Sequence, residues 1–184
     1  MNDENTGIFD WKYRMGAHLA YHQNPINKSI HFLCIPVILF GIIKLLSMIP
    51  MFGAWDASIW LIIFLSPVFL LPDVISGLCF ILLMLIIRFL ALEIPTGFVG
   101  VVIGIISVIS AFLVQTQVGH KLFEADARDD TEENITAFRL SKNPIPLLLI
   151  FHYHMIELLM MLGYRPKLRN EIDHYTKLKT KSFT

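Results

Sequence analysis

The chain has 184 residues, of which 55% are hydrophobic and 16% charged, whereas an ordinary soluble domain carries about 25% charged residues. A mean hydropathy of +0.61 excludes a disordered chain and points to a single domain whose solvent is mostly lipid. The 15 Lys and Arg balance the 15 Asp and Glu, so no basic surplus exists to release counterions from nucleic acid, which is not an expected partner.

The opening MNDENTGIFDWKYRMG is polar and acidic. It lacks the basic start and immediate apolar core of a signal peptide, so the N-terminus is expected to be retained. Residues 9–23 are expected to form an N-terminal amphipathic helix carrying His18 and His22. Four stretches then approach the roughly 20 apolar residues that cross a bilayer: His31 to Ile49, Ile59 to Leu71, Val74 to Leu92 and Gly97 to Val118. The second is short and bounded by Pro72-Asp73, which suggests a tight hairpin with the third. Lys44 and Arg88 lie near predicted helix ends, where long stems carry charge to the interface. Gly100 and Gly104 are spaced to let the fourth helix approach a neighbour.

A fifth apolar stretch, Ile145 to Leu162, holds His152, His154 and Glu157. Lys and Arg gather before the first span, after the fourth and after this stretch, while the loops at 50–58 and 93–96 have none. Four crossings put all three basic regions on the cytoplasmic side; a fifth would export the most basic one. The expected fold class is therefore all-α, an integral membrane helical bundle of about four transmembrane helices. It divides into a 31–118 bundle, a 119–144 cytoplasmic loop, an interfacial or re-entrant helix at 145–162 and a basic tail at 163–184.

This topology gathers the histidines on one side. Between His22 and His31, Asn24-Pro25 disfavours a continuous helix and Asn27 suits the N-cap of a new one, so the chain folds back and both imidazoles can reach one metal. At the end of the fourth span, His120 and Glu124 are four apart and share a helical face. His18, four residues before His22, is a reserve ligand. Imidazole and carboxylate donors without a nearby cysteine suit Fe(II), Mn(II) or Zn(II). His152 and His154, two apart, do not share a face: one is expected to line the site and the other to bond at the interface. Glu157 is either an acceptor for a ligating histidine or an interfacial carboxylate, and His174 is expected at a solvated surface.

The segments YHQNPINKSIHFLCIP and QTQVGHKLFE resemble the membrane-bound 2-hydroxy fatty acid dioxygenase family. His22, Asn24, Pro25, Asn27, His31 and Pro36 match its first pattern, and Gln117, Gly119, His120 and Glu124 its second. Glu157 with Leu162-Gly163-Tyr164 and Pro166 is similar to the family's C-terminal ending. The resemblance implies an Fe(II)-dependent enzyme that uses O2 to shorten a long-chain 2-hydroxy fatty acid by one carbon. Metal ligands would be His22, His31, His120 and Glu124, surrounded by Asn27, Gln117, Glu157 and His154. It further implies an endoplasmic reticulum membrane in a eukaryote or the inner membrane in a bacterium. The acidic run ADARDDTEENITAFRLSKNP after Glu124 departs from the family pattern, which continues with basic residues and a proline. A zinc-dependent membrane lipid hydrolase and a non-enzymatic lipid-binding protein are the alternatives.

Overall fold

The computed structural model describes residues 11–53, 55–123 and 145–180, whose regular structure is helical. Glu124 and the rest of the expected cytoplasmic loop lie outside the described residues. Among the described residues seven helices follow in order: α1 (Trp11–Tyr21), α2 (Pro25–Ser47), α3 (Ala57–Leu70), α4 (Val74–Leu92), α5 (Phe98–Phe123), α6 (Ile145–Met161) and α7 (Pro166–Thr180).

The break between α1 and α2 has a local cause. Proline forces the preceding residue out of helical geometry, and Asn24 is extended at φ −69°, ψ 122°. Pro25 then occupies the first turn, where its missing N–H costs nothing, and the Asn24 side chain caps the helix by accepting from Ile26 N at 2.8 Å. The expected N-cap, Asn27, is instead fully buried inside the first turn. A cap three residues earlier turns Asn27 inward and sets His31 nearly two turns into α2.

Among the described residues three helices, α2, α4 and α5, are long and apolar enough to cross a membrane. The 14 residues of α3 span about 21 Å at the α-helical rise, short of a hydrocarbon core of about 30 Å. The three-residue turn between α3 and α4 forms the expected hairpin, with Asp73 capping α4 by accepting from Ser76 N at 2.9 Å. One core joins Ile35, Leu39 and Ile43 of α2 to Ile62 and Phe69 of α3 and Phe80, Met84, Ile87 and Ala91 of α4. The α2–α5 pair closes where a Cβ on Gly41 would lie 2.6 Å from Gly104 O, so only glycine permits that separation.

The end of the bundle carrying the α3–α4 turn is covered by a second layer. Trp11, Met15 and Leu19 of α1 meet Leu149, Tyr153, Ile156 and Met160 of α6 and Leu168 and Ile172 of α7. These recur three or four residues apart, the stripe that one helix face buries. The expected basic tail is thus largely helix α7, docked on α1. Gly163, at φ 91°, ends α6; Tyr164 N donates to Leu159 O at 2.9 Å and Gly163 N to Met160 O at 3.1 Å, closing its last turn. Arg165 and Tyr164 then both bond Asp73, tying the α6–α7 turn to the α3–α4 turn.

At the opposite end, the two cations expected to reach the interface find partners in the loops. Arg88 pairs with Asp56 at 2.6 Å and donates to Ser58 Oγ at 3.0 Å. Lys44 is only 1% exposed; its Nζ turns inward and donates to Ile94 O at 2.6 Å. That carbonyl lies in the α4–α5 loop, where a buried ammonium needs an acceptor more than it needs water access.

Candidate metal centre

Three elements deliver the central residues. His22 continues the last turn of α1, its N–H donating to His18 O at 3.1 Å. His31 comes from α2 and is 2% exposed, and His120 comes from the end of α5. One nitrogen from each of the three rings lies within 4.8 Å of the others. Ring centroids are 4.8 Å apart for His22 and His31, 5.1 Å for His22 and His120, and 5.0 Å for His31 and His120. Rings this close, converging from separate helices, have the spacing of ligands to one ion. Neutral imidazole is a ligand for Fe(II), Mn(II) and Zn(II) alike.

Two more histidines join the cluster. His18 lies 4.3 Å from His22 and 5.0 Å from His154, ring centre to ring centre. His154 stacks on His31 at 5.0 Å with an interplanar angle of 13°. Burial pulls the His154 pKa down to about 4, with the charges of His22, Lys28 and His120 acting the same way against a hydrogen bond to Ile150 O that raises it. Burial likewise holds His18 well below its ordinary value, helped by the neighbouring histidines. Burial thus favours the neutral form of both rings. The Nδ1 of His154 lies 2.9 Å from Ile150 O, to which it donates in the neutral form, leaving Nε2 as an acceptor.

His152, two residues away, is not interfacial but fully buried. It faces Ser76 Oγ at 3.1 Å between the rings of Phe69 and Phe80. The tight packing of α6 against α3 and α4 buries its second face as well. Glu157 is 6% exposed and pairs with Lys28 at 2.7 Å, joining α6 to α2 beside the cluster. His174 is exposed. Asn27 Nδ2 is 3.3 Å from His22 Nδ1. Glu124, the remaining expected ligand, lies outside the described residues.

Gln117, expected beside the ligands, is exposed; the side-chain amide of Gln115 reaches His31 Nδ1 at 2.8 Å instead. The cause is a π-helical segment, Val114–His120, inside α5. Residues three or four apart share a face in an α-helix, but the i→i+5 pattern of a π-turn aligns residues five apart, here Gln115 and His120. The only signal in the sequence was a pair of glutamines in an apolar helix, and α-helical spacing favours the wrong member. Gly119 lies against α2 so closely that a Cβ would sit 2.3 Å from Asn27 Oδ1.

A helical bundle with membrane-length helices, capped at one end by a cluster of imidazoles, is the class of protein this fold and site define. The family described as 2-hydroxy-palmitic acid dioxygenase Mpo1-like matches residues 9–141, and the chain belongs to it. The chain is also similar to a 2-hydroxy-palmitic acid dioxygenase, MPO1, of Saccharomyces cerevisiae, at 24% identity over 177 residues covering 96% of this chain and 95% of that one. No solved structure matches it.

Proposed function

We propose that this protein is an Fe(II)-dependent dioxygenase that converts a long-chain 2-hydroxy fatty acid into the fatty acid one carbon shorter. The observation that carries the reading is the convergence of His22, His31 and His120, with ring nitrogens within 4.8 Å of one another, in a chain of this family. The stoichiometry balances without a further reductant: the 2-hydroxy acid and one O2 give the shorter acid, CO2 and water. The substrate loses four electrons, which O2 accepts. Fe(II) held by the three imidazoles supplies the redox centre for that exchange.

The chain's own residues account for the rest. His22, His31 and His120 hold the ion, and Glu124 supplies a further donor or orients His120. Asn27 fixes the His22 ring through its amide. The apolar faces of α2 and α5 below the cluster accommodate the acyl tail, which gives a reason for placing this chemistry in a membrane. The bundle crosses the bilayer four times, with α3 as the short crossing, α6 interfacial, and the metal centre on the cytoplasmic side. That membrane is the endoplasmic reticulum in a eukaryote or the inner membrane in a bacterium.

The test is anaerobic purification in detergent, quantification of bound metal, and O2 uptake with 2-hydroxypalmitic acid. The expected result is near-stoichiometric iron, O2 consumption matched by the one-carbon-shorter acid, and loss of both in His22→Ala. Zinc in place of iron, or no O2 uptake after reconstitution with Fe(II), rejects the proposal.

A further inference from the structure

The contact that sequence spacing did not anticipate is the one between Gln115 and His31, from residues 84 positions apart on α5 and α2. A metal-ligating histidine must present a lone pair to the ion, and which nitrogen does so depends on what the other nitrogen bonds. A carboxamide has a donor end and an acceptor end. The nitrogen of that amide is the end placed 2.8 Å from His31 Nδ1, but the two ends of a carboxamide are told apart only by what they bond; turned about, with its oxygen toward the ring, Gln115 accepts the Nδ1–H of His31 and leaves the Nε2 lone pair for the ion. His31 is 2% exposed, so water does not compete for Nδ1 in the way it does at a surface ring.

Three levels of the α2–α5 seam hold this contact in register. Gly41 and Gly104 close the seam in the bundle, Gln115 meets His31 above them, and Gly119 lies against Asn27 at the top. The π-turn Val114–His120 makes the second level possible, because only a wider turn brings Gln115 to the side of α5 that presents His120. An α-helix through the same residues would turn Gln117 inward instead. π-turns inserted in α-helices are frequent at functional sites.

We infer that Gln115 is a positioning residue for the metal centre: it selects the His31 tautomer that ligates, and the π-turn of α5 exists to deliver it together with His120. The inference rests on the proposed role of His22, His31 and His120 as metal ligands. Such outer partners of ligating histidines typically change metal affinity by about 10–100-fold when removed.

The experiment measures metal affinity directly. Fe(II) is titrated anaerobically into the metal-free full-length protein in detergent against a competing chelator, and Co(II) is used as a second, spectroscopically visible probe. Gln115→Leu keeps the volume and removes the amide, Gln115→Asn withdraws the amide by one methylene, and Gln115→Glu restores an acceptor. Gln117→Asn is the matched change at the position that α-helical spacing favours.

The expected result is a loss of about 10–100-fold in metal affinity for Gln115→Leu and Gln115→Asn, recovery in Gln115→Glu, and no change in Gln117→Asn, with the helical content of the metal-free proteins equal. A merely structural role moves the unfolding midpoint of the metal-free protein and does not distinguish Glu from Leu. Wild-type affinity in Gln115→Asn, or a loss equal to that of Gln117→Asn, overturns the inference while leaving the metal centre standing. If Gln115→Leu does not fold, Gln115→Asn against Gln115→Glu decides alone. If the wild-type protein binds neither Fe(II) nor Co(II), the metal centre itself is rejected and the inference with it.

Discussion

Gly119 shows how little room the histidine cluster leaves. A methyl group there meets Asn27 Oδ1 at 2.3 Å, and Asn27 is fully buried, so the Asn27 amide that lies 3.3 Å from His22 must shift. Gly119→Ala is expected to destabilise the protein by about 1–3 kcal/mol, as overpacking does, and to weaken metal binding by separating His120 from His22 and His31. A thermal midpoint and a metal titration equal to wild type would show that the α2–α5 contact is more yielding than this. The candidates His22, His31 and His120 were legible at this scale because ligand chemistry is a property of residue type, and the fold-back at Asn24-Pro25 is local backbone sterics. Gln115 was not legible, since its role depends on a change of helical period that no spacing rule announces.

Among the elements, α6 and α7 form a cap that Asp73 helps to attach to the bundle, beside the His152–Ser76 and Glu157–Lys28 contacts. Burial by itself would raise the Asp73 pKa, but the N–H of Ser76, the guanidinium of Arg165, the hydroxyl of Tyr164 and the hydroxyl of Ser76 outweigh it and hold the carboxyl below its ordinary value. A carboxylate with a lowered folded pKa contributes stability that is fully present above its unfolded pKa and lost as pH falls through the folded value. Asp73→Asn is therefore expected to lower the thermal midpoint at pH 7, with the gap from wild type closing as the pH drops below about 4. A gap that persists unchanged at pH 3 would mean that the Asn side chain, not the lost charge, disturbs the turn. Asparagine still caps α4 well, so the change reports mainly on the Arg165 and Tyr164 contacts.

Across the molecule, the polar chemistry is divided between two ends. The histidine cluster, the Lys28–Glu157 pair and the Asp73 network occupy one, while Arg88–Asp56 and Lys44 close the other. Aromatic rings gather at the latter end, Trp60 lying 5.6 Å from Trp55 and 5.7 Å from Phe64, the position that amphipathic rings take at a membrane surface. The proposed four crossings would place these ends in opposite compartments. Single cysteines at Phe52→Cys and His174→Cys, in a background without Cys34 and Cys79, are expected to react with an impermeant thiol reagent from opposite sides of sealed vesicles. Labelling of both from one side would reduce the crossings to an arrangement in which α3 does not span.

The sequence by itself determined the helical class, the hairpin at Pro72 and the residue types for a metal centre, because hydrophobic run length, proline sterics and donor chemistry act over a few residues. Tertiary structure decided which polar residues lie at the histidine cluster. It turned His154 toward the cluster and His152 toward Ser76, spent the Glu157 charge on Lys28, and exchanged Gln117 for Gln115. Each choice follows from how one helix lies against another. A rotation of a helix by part of a turn replaces one side chain by its neighbour without changing any local preference, and only the packing of α5 on α2 and of α6 on α3 and α4 sets that rotation.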